Sequence, residues 1–303
     1  MRERAGAVPA RPWPRWRLVH RWLGLGLGLW FTLVGLTGAL LVWRDAVDAA
    51  LNPDLFARGA PAPPLPLDEL VERLRSDAAI GRIERLRLPA QPGEPARLQV
   101  RAGASRVESG RLEVFVDPAT GAVRGMRPLQ GWSLAPRHAM RTLYEFHRNL
   151  LLGEPGSNAV GLAGALLLTS AASGLLLAWP RGSRWRQALR VSWRANAARV
   201  ALDLHRAGGL LVATLLLLAA ATGLTLVYLN YVRDLVGLVS RVQPVPVLPF
   251  RTGLAQDEPL TLDELVARAR AGFPGQGVTE LRVSERGLTG VMIQLRAPGD
   301  VHP

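Results

Sequence analysis

Three long stretches without a charged residue dominate the hydrophobic pattern of the chain. They cover residues 22–43, 155–180 and 207–232. A helix rises about 1.5 Å per residue, so even the shortest stretch reaches roughly 33 Å, enough to cross a bilayer. The pattern therefore predicts transmembrane helices over 22–43, 157–179 and 207–230. A cleaved signal peptide is the alternative for the first stretch, but its apolar region is too long and no good cleavage site follows it.

The positive charge is distributed unevenly along the chain. There are 37 basic residues, all arginine, and the net charge is +13. The excess lies in residues 1–22 and 180–206, beside the apolar stretches, whereas residues 44–145 are nearly balanced. This is the positive-inside distribution of a membrane protein and not a nucleic-acid-binding patch. No nucleic-acid partner is predicted.

This distribution also predicts the orientation. The lack of lysine and the many glycines and prolines are typical of a GC-rich bacterial genome, so we expect a multi-pass protein of the bacterial inner membrane in contact with lipid. The arginine-rich segments lie in the cytoplasm. The predicted organisation is a cytoplasmic N-terminus (1–21), helix 22–43, a periplasmic domain with an interfacial segment (44–156), helix 157–179, a cytoplasmic loop (180–206), helix 207–230 and a second periplasmic segment (231–303).

The two periplasmic segments resemble each other. Residues 67–124 predict a small α+β unit, with an amphipathic helix, strands and an Asp-Pro turn. Residues 259–296 repeat it, and LDEL occurs at both 67–70 and 262–265. The second copy stops before its closing hairpin, so we expect a truncated chain that lacks a fourth span. Neither copy contains a recognisable catalytic constellation.

Histidine carries the candidate chemistry, because cysteine is absent. The absence of cysteine excludes disulfides, thiolate metal sites and covalent c-type haem. Of the five histidines, His20, His147 and His205 each precede an arginine where an apolar stretch opens, and a Thr/Ser-Gly pair lies near the end of each stretch. Interfacial histidines beside snorkelling arginines are one interpretation, and metal ligation is the other. His138 is interpreted as interfacial, and His302 has no predicted partner.

The predicted topology decides between metal centres. His20 and His205 begin parallel spans and lie near the cytoplasmic face, whereas His147 lies near the opposite face, so a three-histidine zinc site is excluded. Two axial ligands from two helices suit a b-type haem. Arg21 and Arg206 are expected to pair with its propionates. Glycines beside His20 and His205 suit either a flat macrocycle or close helix packing. These residues are Gly24, Gly26, Gly28, Gly208 and Gly209.

Taken together, the motifs resemble the PepSY-associated transmembrane family. The matching segments are LVHRWLGLGLGLWFTLVGLTGALLVWRD (18–45), LNPDL (51–55), VFVDPATG (114–121), LYEFHRNLLLG (143–153), SGLLLAWPR (173–181) and LDLHRAGG (202–209). The resemblance implies an α-helical membrane protein with small α+β periplasmic PepSY-like modules. Some members are similar to ferric-siderophore reductases with two b-type haems. It implies a cytoplasmic-side haem on His20 and His205 and a periplasmic-side haem on His147.

The resulting functional hypothesis is a haem-bearing membrane protein with one or two b-type haems that reduces ferric iron on the periplasmic side. The substrate is a ferric siderophore or another iron chelate. No flavin or nicotinamide motif is present, so the electron donor is quinol or a cytoplasmic reductant. Two alternatives remain open. One is a non-enzymatic PepSY protein that binds peptides or inhibits a protease, and the other is a subunit of a metal-uptake or sensory complex.

Overall fold

The computed structural model describes residues 13–77, 79–103, 110–180, 182–241, 260–283 and 291–297. The chain divides into two units, and each is built from two separate segments. The first, termed the helical unit, comprises Met1–Val42 and Leu143–Gln243. The second, termed the sheet unit, comprises Trp43–Thr142 and Pro244–Pro303. Each unit is described on its own below.

Three helices of the helical unit are long and apolar enough to span a membrane, among the described residues. They are α1 (Trp13–Leu41), α6 (Glu154–Ala178) and α8 (Ala197–Val227). Many of their leucines are exposed, which fits a surface covered by lipid. The shorter helices of the chain are α2 (Arg44–Leu51), α3 (Pro53–Phe56), α4 (Leu67–Arg75), α5 (Pro136–Asn149), α7 (Trp185–Ala188), α9 (Leu229–Gly237) and α10 (Leu262–Gly272).

The long helices extend beyond the uncharged stretches. Helix α1 begins at Trp13 and α8 at Ala197, ahead of the predicted starts at residues 22 and 207. Arginine is a good helix former, so the charges that mark the membrane boundary do not end the helix. As a result, His20 and His205 lie about two turns inside their helices and not at the helix starts.

The middle span has a different beginning from the one predicted. His147 lies on α5, which ends at Asn149, and α6 starts afresh at Glu154. A tight turn joins the two helices, with positive φ at Leu150 and Leu151. A Cβ at Gly156 would lie 1.7 Å from the Asn149 carbonyl oxygen, so only glycine allows this close approach.

Helix α6 packs against both of the other long helices and runs antiparallel to them. Near its end, the Gly174 position meets His20, close to the start of α1. Near its beginning, Gly161 meets Tyr228, which directly follows α8. Helices α1 and α8 are therefore parallel, as the sequence predicts.

The sheet unit contains one antiparallel sheet with strand order β4-β3-β2-β1-β5-β6. The strands are β1 (Ile80–Arg87), β2 (Ala96–Ala102), β3 (Arg111–Val116), β4 (Val123–Pro128), β5 (Gly277–Val283) and β6 (Val291–Arg296). Apolar residues alternate along β2, where Leu98 and Val100 are fully buried. Strands β3 and β4 and the Asp-Pro turn between them confirm the predicted hairpin.

The two sequence copies are joined and not separate. Strand β1 of the first pairs with β5 of the second, with Leu86 opposite Leu281. Both leucines belong to one core that also receives Leu70 from α4 and Val266 from α10. A segment of residues 67–124 taken alone therefore lacks part of its core and one neighbour of β1.

A reciprocal contact joins the beginnings of α4 and α10. The Asp263 carboxylate accepts hydrogen bonds from the N–H groups of Leu67 and Asp68, at 3.0 and 3.1 Å. The Asp68 carboxylate accepts bonds from Leu262 and Asp263, at 2.9 and 3.0 Å. The first N–H groups of a helix have no partner within it. Each helix therefore supplies partners for the first N–H groups of the other, in addition to the capping box that Thr261 and Glu264 form in α10.

A buried ion cluster anchors α2 to the sheet. Arg127 of β4 is 7% exposed and binds both carboxylate oxygens of Asp48, at 2.9 and 2.8 Å. It also donates to Glu113 of β3 at 2.8 Å. Burial lowers the pKa of Arg127, but the Asp48 bonds and the Glu113 charge outweigh it and raise that pKa above its ordinary value.

Candidate functional site

His20 is held by the end of α6. Its Nδ1 lies 3.0 Å from the Ser170 carbonyl oxygen and 3.2 Å from the Ser173 hydroxyl. The Ser173 hydroxyl itself donates to the Ser170 carbonyl at 2.9 Å. Both serines are buried, at 8% and 2% exposure. These small polar residues therefore lie in an apolar span where they meet the histidine ring.

Glycine completes this contact. A Cβ at Gly174 would lie 2.7 Å from Cε1 of His20. Such a distance is too short for a side chain, so the ring fits only because residue 174 is glycine. We name the three residues Ser170, Ser173 and Gly174 the α6 clamp.

His147 is held in the same way by the end of α1. Its Nδ1 lies 3.1 Å from the Val34 carbonyl oxygen and 3.1 Å from the Thr37 hydroxyl. The Thr37 hydroxyl donates to Val34 at 2.8 Å, and a Cβ at Gly38 would lie 2.8 Å from Cε1 of His147. Val34, Thr37 and Gly38 are named the α1 clamp. The two clamps lie at opposite ends of the antiparallel pair α1 and α6.

The clamps account for two of the three Thr/Ser-Gly pairs, Thr37-Gly38 and Ser173-Gly174. The sequence shows these pairs, but nothing local indicates that these two each receive a histidine from a different helix. The third pair, Thr222-Gly223, has no such occupant among the described residues. There the Thr222 hydroxyl bonds only to carbonyls of its own helix, and a Cβ at Gly223 meets nothing within 4 Å.

A clamped histidine has a defined tautomer. A carbonyl oxygen can only accept a hydrogen bond, so Nδ1 of His20 carries the proton that it donates to Ser170. In the neutral ring, Nε2 then keeps a free lone pair. A histidine that ligates a metal through one nitrogen almost always donates the other N–H to such a partner. The same reasoning applies to His147 and Val34.

His20 also lies beside His205. Their ring centroids are 6.0 Å apart, with the planes tilted by 52°. His205 is exposed, and within the described part of the chain its ring makes no hydrogen bond. An imidazole nitrogen binds a metal ion at about 2.0 Å, so two rings at this separation would be able to hold one haem iron between them. The pair fits a haem iron in this respect.

The described residues contain no group of three or more metal-ligating side chains. A pair of histidines does not complete a protein-only zinc site, but it does complete the axial set of a haem. At each of the five glycines near His20 and His205, a Cβ would meet no other atom within 4 Å. Within the described residues these glycines therefore adjoin open space and are not packing contacts. They are Gly24, Gly26, Gly28, Gly208 and Gly209.

The two candidate arginines have different surroundings. The guanidinium of Arg21 is exposed and lies 5.9 Å from the Trp22 ring. Arg206 instead pairs with Asp203 at 3.2 Å and donates to the carbonyls of Ala188, Gln187 and Arg190. Its pairing with a propionate stays a prediction, and its Nε and Nη2 already donate to carbonyls in the loop before α8.

Asp203 is a residue that the sequence analysis did not identify. It is fully buried, two positions before His205, and accepts from the Ser192 N–H at 3.2 Å. It also pairs with Arg199 at 3.3 Å. These contacts tie the loop to the helix that carries His205. A lone acid among seven loop arginines is the signal that could have revealed it.

Of the two remaining histidines, only His138 lies among the described residues. His138 lies on α5 within the sheet unit and is half-buried. Burial, then the positive charges of Arg127, Arg141 and Arg137, lower its pKa below the ordinary value. His302 lies outside the described residues.

Comparison with protein families matches residues 17–294 to the model of the PepSY-associated TM region. The match covers most of the chain. This protein belongs to the PepSY-associated TM family. The predicted family and the prediction of a membrane protein are thereby confirmed. A comparison with curated proteins finds no match.

In this PepSY-associated TM protein, the matched region includes both clamps and all three candidate ligands, His20, His147 and His205. It also includes every strand of the sheet except the end of β6. Family membership therefore covers both units, although a PepSY identity for the two copies in the sheet unit stays a prediction.

Proposed function

We propose that this protein is a haem-bearing electron-transfer protein of the bacterial inner membrane that reduces ferric, siderophore-bound iron on the periplasmic side. In this proposal the N-terminus and the loop 180–206 are cytoplasmic. The observation that supports it best is the pair His20 and His205, whose ring centroids are 6.0 Å apart between two parallel membrane helices.

A b-type haem bound here supplies a one-electron redox centre. The protein supplies the histidine side chains that would hold it. His20 offers Nε2 because its Nδ1 is engaged by Ser170 and Ser173. His205 approaches from the neighbouring parallel helix.

His147 is proposed as a ligand of a second haem near the opposite face of the membrane. The support is its clamp, which matches that of His20 in both hydrogen bonds and in the glycine contact. Two redox centres near opposite faces suit transfer across the membrane. Quinol or a cytoplasmic reductant is proposed as the donor.

The function is tested with the full-length chain in proteoliposomes that hold quinol, with a ferric siderophore outside. Ferrous iron, trapped by a chromogenic chelator, should form at a rate that His20→Ala and His205→Ala each abolish. His138→Ala is the control, because His138 belongs to the other unit and should leave the rate unchanged. Equal rates in all four proteins would refute the proposal.

Peptide binding by the sheet unit is the second candidate. This unit contains a cavity of about 420 Å³ whose lining includes Phe56 and charged side chains of both signs, among them Arg87 and Glu94. Such a lining suits a peptide, which carries backbone groups and charges of either sign. Binding of a peptide library to the full chain, lost in Phe56→Ala, would support this candidate.

A further inference from the structure

We propose that the α6 clamp and the α1 clamp are positioning sites that fix His20 and His147 in the Nδ1–H tautomer and present Nε2 as the ligand atom. The tautomer assignment stands on hydrogen bonds within the helical unit. Its consequence for cofactor affinity rests on the proposed function.

The two clamps share the same pattern of hydrogen bonds. In each, a carbonyl lies three residues before a hydroxyl residue, and both accept from the same Nδ1 at 3.0–3.2 Å. In each, the hydroxyl donates to that same carbonyl, at 2.9 Å from Ser173 and at 2.8 Å from Thr37. The hydroxyl proton is thereby used, so its oxygen faces the histidine as an acceptor. Both acceptors thus favour a proton on Nδ1.

The hydroxyl residues of both clamps are buried. Ser173 and Thr37 are 2% and 8% exposed. Other hydroxyls in the spans, such as those of Thr169 and Thr222, bond only to their own helix and are exposed. A hydroxyl bonded to its own helix needs no burial, so the buried pair is distinguished by its contact with histidine.

A glycine follows the hydroxyl residue of each clamp. Added Cβ atoms at Gly174 and Gly38 would lie 2.7 and 2.8 Å from the histidine Cε1 atoms, whereas at Gly223 the space is open. Alanine at either clamp must therefore push the ring away from its two acceptors. The same substitution at residue 223 displaces nothing.

The tautomers are measured by nitrogen-15 NMR of the full chain in lipid nanodiscs, without haem and with labelled histidine. Five histidines give few signals, and His20→Gln and His147→Gln assign two of them. We expect a protonated Nδ1 and a bare Nε2 for both. Gly174→Ala should remove this pattern from His20 alone, Gly38→Ala from His147 alone, and Gly223→Ala from neither. A protonated Nε2 in the wild-type rings, or equal effects of all three alanines, would overturn the proposal.

The hydroxyl is tested separately through haem affinity. Loss of a partner of a metal-bound histidine typically weakens binding about 10–100-fold, so we expect a loss of this size for Ser173→Ala. Ser173→Thr should keep the affinity, because threonine serves in the α1 clamp, and Thr222→Val should not change it. Wild-type affinity in Ser173→Ala would contradict the role of the hydroxyl. Failure of the wild-type chain to bind haem would refute the proposed function but leave the NMR result standing.

Discussion

The reciprocal cap between α4 and α10 makes an unusual prediction, that a substitution at one helix loosens the other. Asp68→Ala removes the two hydrogen bonds that the Leu262 and Asp263 N–H groups make to the Asp68 carboxylate. It removes no hydrogen bond to the N–H groups of α4. Hydrogen exchange should therefore accelerate at residues 262 and 263, which lie far away in the sequence.

The magnitude follows from the contacts. Loss of a capping side chain costs about 0.5–2 kcal/mol, and a carboxylate at a helix N-terminus adds about 0.3–1 kcal/mol. We expect about 1–2 kcal/mol for Asp68→Ala, which corresponds to roughly 5–30-fold faster exchange at the two amides. Asp263→Ala should have the reciprocal effect and accelerate exchange at the Leu67 and Asp68 amides of α4. Asp68→Asn keeps one acceptor oxygen and should lie between alanine and the wild type.

The assay is hydrogen exchange with mass spectrometry on the full chain in detergent. Glu72→Ala is the control, because Glu72 lies on the same helix, is 78% exposed, and pairs with Arg75 only at 3.7 Å. Such a surface pair contributes less than about 1 kcal/mol. If Asp68→Ala accelerated exchange in α4 and left residues 262 and 263 unchanged, the reciprocal cap would be wrong.

The cap also predicts a pH dependence. Burial raises the pKa of Asp68, but hydrogen bonds from Asp263 and Leu262 outweigh it and hold the pKa below the ordinary value. A carboxyl with a depressed pKa in the folded state stabilises that state above its unfolded pKa of about 3.9, and this contribution disappears as pH falls through the folded value. The difference in exchange between wild type and Asp68→Ala should therefore be constant near neutral pH and shrink in strong acid.

Three further predictions concern other parts of the chain. Arg127→Leu should destabilise the sheet unit by about 3–5 kcal/mol in chemical denaturation, because it leaves the buried Asp48 carboxylate without its ion pair, whereas Arg58→Leu at an exposed pair should change little. The lowered pKa of His138 means that the unfolded state binds more protons below about pH 6.5, so stability should fall there in wild type and not in His138→Gln. Reporter fusions after residues 190 and 125 should behave as cytoplasmic and periplasmic, respectively, and the opposite result at either position would contradict the proposed orientation.

The local parts of this fold were predictable from the sequence. Uncharged stretches predict the three long helices, because hydrophobic length is a property of consecutive residues. The hairpin at Asp117 was predictable for the same reason, since turn residues directly separate two alternating strands. The starts of α1 and α8 were not predictable, because the arginines that flank the apolar stretches are themselves helical and extend both helices beyond those stretches.

The long-range parts were not predictable. Pairing of Leu86 with Leu281 joins two repeats into one sheet, and nothing in either repeat distinguishes this from two separate modules. The clamps were not predictable for the same reason, because they join residues that are far apart in the sequence. His20 and Ser173 are 153 positions apart, and their contact depends on the antiparallel packing of α1 on α6. The histidines themselves stood out only because they recur in the same context.

The central claim is that His20 and His205 are the two axial ligands of one haem. Its most direct test is the visible absorption spectrum of the purified full-length chain, compared with His20→Ala and His205→Ala. The wild type should show a six-coordinate, low-spin b-type spectrum. Each variant should lose one iron–nitrogen bond and give a five-coordinate spectrum or lose the haem signal of this site. A haem-free wild type, or a wild-type spectrum in both variants, would contradict the account.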